Sequence, residues 1–143
     1  ATGVEISARQ TLRERLDLTG AVSITDARVD GGSAASQLTG LRPAQAPIWS
    51  ATAGVDWRAT ARLSLSVRAR YESKRFEDDL NSRVLDAAVT ADVRADWRVN
   101  DTAALWVSAD NLLDAAVEVS KTGTGIEGFG PPRTLSIGLK LIY

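Results

Sequence analysis

From residue 84 to residue 99 every odd position holds an apolar side chain: Leu85, Ala87, Val89, Ala91, Val93, Ala95, Trp97 and Val99. Between them sit Asp86, Ala88, Thr90, Asp92, Arg94, Asp96 and Arg98. Successive side chains of an extended strand point to opposite faces, so this strict period of two marks a strand with one apolar and one polar face. The pattern returns along the chain. Leu63, Leu65, Val67, Ala69 and Tyr71 alternate with polar neighbours over residues 62–72, and Trp49, Ala51, Ala53, Val55 and Trp57 do so over 49–58. Upstream, Leu16, Leu18, Val22 and Ile24 form one such row and Val4, Ile6 and Ala8 another; Leu105, Val107 and Ala109 form a third after the turn at Asn100 and Asp101. With the last nine residues these segments predict seven antiparallel strands and an all-β fold.

The last strand narrows the class. Leu135, Ile137, Leu139, Leu141 and Tyr143 make one apolar stripe while Ser136, Gly138 and Lys140 face the other way, with Ile142 the one misfit. A chain stopping on such a strand would leave a sticky edge in water but suits the closing strand of an outer-membrane barrel. The connections alternate in length as in such barrels: short turns near 11–14, 58–61 and 100–102, longer polar loops over 30–47, 76–83 and 120–133. On that assignment Trp57, Trp97 and Tyr143 fall at the periplasmic ends of strands, and Trp49 and Tyr71 toward the extracellular ends, as two aromatic girdles. Trp49 to Trp57 is a step of about 26 Å along a strand, or roughly 20 Å along the membrane normal at a tilt of about 40°. Charge placement favours a register in which Arg68 faces Asp92 and Lys74 faces Asp86. An ion-paired polar inner face behind an apolar outer one inverts the plan of a soluble barrel.

Composition removes other classes. The 143 residues carry a net charge of -1, so no basic field supports a nucleic-acid role. There is no Cys and no His. Thiolate or imidazole metal sites, and Ser-His or Cys-His nucleophilic machinery, are therefore unavailable. Asp86, Asp92 and Asp96 share a strand face, but each has an Arg or Lys neighbour to pair with, and an ion-paired carboxylate is a poor general acid. No enzyme, cofactor or metal site is expected. No apolar run approaches the roughly 18 residues of a membrane helix. Without Met, and opening on Ala1 in a strand-like run, the chain is expected to be processed or truncated.

Several local signatures stand in one order: Arg42-Pro43 through Pro47 before the strand carrying Gly54, Tyr71 ending a strand, Asp79 and Asn81 in the next loop, and Asn111-Leu112-Leu113-Asp114. Gly130-Pro131-Pro132-Arg133 and the strand Ile137-Gly138-Leu139-Lys140 follow. The order resembles the C-terminal end of a TonB-dependent outer-membrane receptor. The resemblance spans essentially the whole chain, 1–143, as a single barrel segment without a plug domain. It implies about seven strands of a 22-stranded transmembrane β-barrel in a Gram-negative outer membrane. It also implies a lumen closed by an N-terminal plug, and import of a scarce nutrient such as an iron-siderophore, vitamin B12 or a glycan, energised by TonB. Its partners would be outer-membrane lipid, the rest of the barrel and its plug, TonB through the missing N-terminal part, and the barrel-assembly machinery. That machinery reads a C-terminal signal that Leu135, Ile137, Leu139, Leu141 and Tyr143 match.

Arg68, Arg70, Lys74 and Arg75 cluster toward the extracellular end, the first three on the lumenal row. They could draw an anionic ferric chelate, although a lumenal ion-pair ladder with Asp86 and Asp92 is the favoured reading. Trp106 has inward parity, to touch a plug or fill space against a lumenal neighbour. Residues 123–128 spell Gly-Thr-Gly-Ile-Glu-Gly, but Phe129, Gly130, Pro131 and Pro132 follow where a dinucleotide fold needs a helix, so a flexible extracellular loop is expected. Asp78, Asp79 and Asn81 lack the glycine and terminal glutamate of a calcium loop. Two rival architectures remain at this stage: a small self-contained outer-membrane barrel of structural or adhesive role, and a soluble β-barrel that binds a ligand with its odd rows inward.

Overall fold

In the computed structural model, which describes residues 1–141, seven long strands pair in sequence order into one antiparallel sheet. They are β1 (Thr2–Leu12), β2 (Leu16–Asp26), β3 (Trp49–Arg58), β4 (Leu63–Glu72), β7 (Ala88–Arg98), β8 (Ala103–Asp110) and β11 (Thr134–Leu141). Two small ladders lie outside it: β5 (Arg75–Phe76) with β6 (Val84–Leu85), and β9 (Glu118–Lys121) with β10 (Glu127–Phe129). A 3-10 turn, Ser36–Leu38, interrupts the first long loop. Among the described residues no helix is long and apolar enough to cross a membrane. At about 3.3 Å per residue, strands of 10–11 residues tilted by about 45° cover the apolar band of an outer membrane.

The ladder carries the alternation from strand to strand, because paired residues share a face. Gln10, Leu18, Val55, Val67, Val93, Ala109 and Leu135 form one continuous row of the apolar face, and Leu16, Trp57, Leu65, Ala95, Val107 and Ile137 the next. A mid-height row is small: Ala8, Gly20, Ala53, Ala69 and Ala91. Between these rows the opposite face holds Asp17, Asp56, Ser66, Arg94, Ser108 and Ser136. Among the described residues no second layer covers the apolar face, and the buried hydrophobic ones are Leu85 and Ala109. A soluble domain of this size would collapse its apolar rows into a core; these rows face outward.

The Arg68↔Asp92 register stands, and the long and short connections alternate as expected. The row over 84–99 is not one strand, however. β6 ends at Leu85 and β7 begins at Ala88, because the Asp86 amide leaves the ladder to donate to Glu118 Oε2 at 2.9 Å. Leu85 is thereby fully buried, with β6 packed against β9. The Gly-rich 123–128 stretch is likewise not irregular throughout. It is the tip of the β9–β10 hairpin, turned by Gly125 at φ 84° and closed by Thr122 N–H donating to the Ile126 carbonyl.

Candidate ligand-binding face

All three long connections, residues 27–48, 73–87 and 111–133, emerge at one end of the sheet and are fastened to each other. The Asn81 side chain, at φ 55°, clasps the Arg42 backbone in both directions: Arg42 N–H donates to Oδ1 and Nδ2 donates to the Arg42 carbonyl, each at 2.8 Å. Asp79 Oδ1 accepts from the Ala44 amide at 3.3 Å. Asp79 is thus committed to loop packing, and among the described residues no group of three or more carboxylates is placed to hold a metal ion. Asp78 accepts from the amides of Ser82 and Arg83 and from Ser82 Oγ. Desolvation pushes its carboxyl up, but those donors and the Arg83 charge outweigh it and hold the group below the usual carboxylate range.

Arg75 joins all three loops. Its Nε donates to Gln45 Oε1 at 2.9 Å, Nη2 donates to the Glu118 carbonyl at 3.1 Å, and Nη1 lies 3.4 Å from Glu72 Oε2. With its side chain 9% exposed, it belongs to the scaffold rather than to a ligand-facing cluster. Nothing in the sequence singled out Gln45 or Glu118 as its partners.

The other basic candidates part company. Arg68 lies opposite Asp92 but forms its ion pair with Asp56 of β3, at 2.6 Å, by running across Gly54. A side chain at Gly54 would meet the Arg68 stem, so the glycine makes the reach possible. Asp92 instead accepts from the Asn111 amide at 2.8 Å. Arg70 sits 3.7 Å from Glu72. Lys74 lies outside the strands and forms no ion pair with Asp86 or any other described residue. The expected ladder therefore exists with different rungs.

Where β4, β7 and β8 run under the third loop, a cavity of about 300 Å³ opens on the polar face. Arg70, Glu72, Asp92 and Asp110 line its floor, and Val117, Val119 and Pro131 its roof. Asn111, at φ 47° and 8% exposed, fixes that roof. Its Nδ2 donates to the Ala115 and Pro131 carbonyls and its Oδ1 accepts from the Ala115 amide. Asp114 Oδ1 accepts from the Arg133 amide at 2.9 Å. The Asn111-Leu112-Leu113-Asp114 and Pro131-Pro132-Arg133 elements thus meet in space. A second, more polar cavity of about 500 Å³ adjoins it, sharing Asp92 and Asp110 and lined by Arg68, Arg94 and Trp106. Trp106 fills space: its indole lies on Gly138 of β11, with the Arg94 guanidinium 4.4 Å from the ring centroid.

On the apolar face Trp49 and Tyr71 stand toward the long-loop end, and Trp57 and Trp97 at the short-turn end, 37–51% exposed. Leu135, Ile137, Leu139 and Leu141 occupy the apolar side of β11, and Tyr143 lies outside the described residues.

A family model described as TonB dependent receptor-like, beta-barrel, matches residues 1–112. The chain belongs to that family. Solved TonB-dependent receptors share its fold. The siderophore receptor PiuA of Acinetobacter baumannii superposes with a TM-score of 0.81 at 17% identity, over 97% of this chain and 21% of that one. The ferric yersiniabactin uptake receptor FyuA of Yersinia pestis gives 0.87 at 18% identity, over 97% and 23%. BauA, the ferric preacinetobactin receptor of Acinetobacter baumannii, gives 0.79 at 21% identity, over 97% and 21%. The chain spans about a fifth to a quarter of the length of these receptors. No curated protein sequence matches it. TonB-dependent receptors are Gram-negative outer-membrane transporters rather than enzymes, and membership sets aside the soluble-barrel architecture.

Proposed function

We propose that this chain supplies barrel wall, long extracellular loops and the C-terminal assembly signal to a TonB-dependent transporter of the Gram-negative outer membrane, one that imports a ferric chelate. The observation that carries the reading is the polar face. It is roofed at one end by three interlocked loops and holds two adjoining cavities, on a sheet whose other face is predominantly apolar. PiuA, FyuA and BauA are receptors for siderophores or ferric chelates, which favours that nutrient over vitamin B12 or a glycan. Trp49, Tyr71, Trp57 and Trp97 act as interface girdles against outer-membrane lipid. Leu135, Ile137, Leu139, Leu141 and Tyr143 act as the signal for the barrel-assembly machinery. The rest of the barrel, its plug and TonB are the further partners.

Of the basic candidates, Arg70 contacts ligand from the cavity floor and Arg68 hydrogen-bonds from the adjoining one, while Lys74, which lines neither cavity, adds its charge to the attraction of an anionic ligand. The test is uptake of radiolabelled iron from a panel of ferric chelates by iron-starved cells, with and without the gene. Loss of uptake of one chelate, restored by the gene and reduced by Arg70→Ala, is expected. Unchanged uptake of every chelate, with lost uptake of vitamin B12 or a glycan, would replace the substrate.

A further inference from the structure

The cations of this chain are sorted by position. Most of those in the strand interiors and long loops are ion-paired, Arg9, Arg68 and Arg94 in the wall and Arg42, Arg75 and Lys121 among the loops, while Lys74 and Lys140 form no ion pair among the described residues. Arg13, Arg15, Arg58 and Arg98, at the short-turn end, form no ion pair among the described residues. They converge instead on one cavity of about 420 Å³, with Thr60 and Ser64 in its wall and Glu14 as its one carboxylate.

The cavity is built rather than incidental. Arg58 N–H donates to the Arg15 carbonyl at 2.8 Å and its Nη2 donates to the Glu14 carbonyl at 2.5 Å, so the guanidinium is pinned to the neighbouring turn. Arg13 and Glu14, at φ 50° and 57°, hold that turn in the mirror-image form a right-twisted hairpin requires. Thr60 Oγ1 already accepts the amides of Arg62 and Leu63, leaving its own proton to donate into the cavity. Four guanidinium groups against one carboxylate repel each other unless an anion joins them. Planar guanidinium forks flanked by hydroxyl donors match an oxyanion carrying several acceptor oxygens and more than one charge.

We propose that the short-turn mouth is a binding site for a phosphate group. Two sources share that chemistry: a soluble phosphate of the periplasm, and the headgroup of an anionic phospholipid at the rim, which Trp57 and Trp97 mark from the other face.

The complete outer-membrane protein carrying these residues, purified in zwitterionic detergent, is titrated calorimetrically with inorganic phosphate and pyrophosphate. In parallel it is placed in nanodiscs of phosphatidylglycerol or phosphatidylcholine, and the lipid retained after delipidation is counted. Arg15→Gln/Arg98→Gln is compared with Arg94→Gln in the wall and with the charge-keeping Arg98→Lys, each shown to be folded by heat-modifiable gel mobility. Calorimetric binding weakened about tenfold or more by the double variant alone supports the site with a soluble source. Selective retention of phosphatidylglycerol, lost in the same variant, supports it with a lipid source. Binding of neither by the folded protein, or equal weakening by Arg94→Gln, overturns it. Neither arm depends on iron uptake, so the outcome stands apart from that of the transport reading.

Discussion

The indole of Trp106 lies flat over Gly138 of the neighbouring strand, and a methyl group on that glycine would collide with the ring. Gly138→Ala is therefore expected to destabilise the barrel by about 1–3 kcal/mol through overpacking. Trp106→Ala in the same chain should recover part of that loss, a coupling that a double-mutant cycle of urea unfolding in vesicles would measure. Additive losses would mean the two residues act separately. Arg75 makes a different kind of contact, since its guanidinium is the shared donor of three loops. Arg75→Ala leaves the Glu118 carbonyl and Gln45 Oε1 without this donor, at a cost of about 2–3 kcal/mol. That cost should appear as faster amide exchange at β9 and β5 with β2 unchanged. Residue parity foretold the inward position of Trp106, but not the glycine beneath it, because a cavity under an aromatic ring is a property of two strands. Arg75 was visible only as one of four clustered charges. Its partners Gln45 and Glu118 lie 30 and 43 residues away, beyond any local pattern.

Strands were the legible part of this chain because period-2 alternation is a direct imprint of facing lipid on one side and water on the other. The bounds of β3 coincide with those of its apolar row, while the row over 84–99 hides a break. Alternation reports which face a side chain takes and is silent on whether the backbone between two apolar positions stays in the ladder. Asp86 turned aside for a loop carboxylate. The face assignment itself has a mutational consequence at mid-height, where Ala69 lies between Ala53 and Ala91 on the apolar face and Thr90 lies opposite Arg70 on the polar one. Ala69→Arg should cost about 2–4 kcal/mol of stability in bilayers, whereas Thr90→Arg should be tolerated; the reverse order in vesicle unfolding would invert the faces. The second loop adds a pH dependence. The folded Asp78 carboxyl is depressed below its unfolded value, so its contribution is present at neutral pH and is lost only as pH falls below the usual carboxylate range. Exchange protection of the Ser82 and Arg83 amides should hold through mildly acidic pH and then drop, and Asp78→Asn should remove that transition.

At the scale of the whole molecule the sheet is a boundary between two solvents, and its four tryptophans sample both sides. Trp49, Trp57 and Trp97 project from the apolar face, half exposed because nothing in the described chain covers them, while Trp106 lies on the polar face against Gly138 and under Arg94. As the proposed girdles, the first three exchange water for the headgroup boundary in a bilayer, where an indole keeps its N–H wet and its ring in hydrocarbon. Trp106 keeps its aqueous lumen. Four single-tryptophan variants of the complete protein, reconstituted in vesicles, separate the two environments by fluorescence. Lipids brominated near the headgroup should quench Trp49, Trp57 and Trp97 more strongly than lipids brominated at the chain ends, because the girdles sit at the edges of the apolar band rather than at its middle. Trp106 should ignore both lipids and respond to a water-soluble quencher unless a lumenal partner covers it. Lipid quenching of Trp106 with aqueous quenching of the other three would reverse the inside and outside of the barrel. The loop-roofed cavities would then face hydrocarbon, which their charge forbids, so this one measurement bears on the ligand site derived from the polar face.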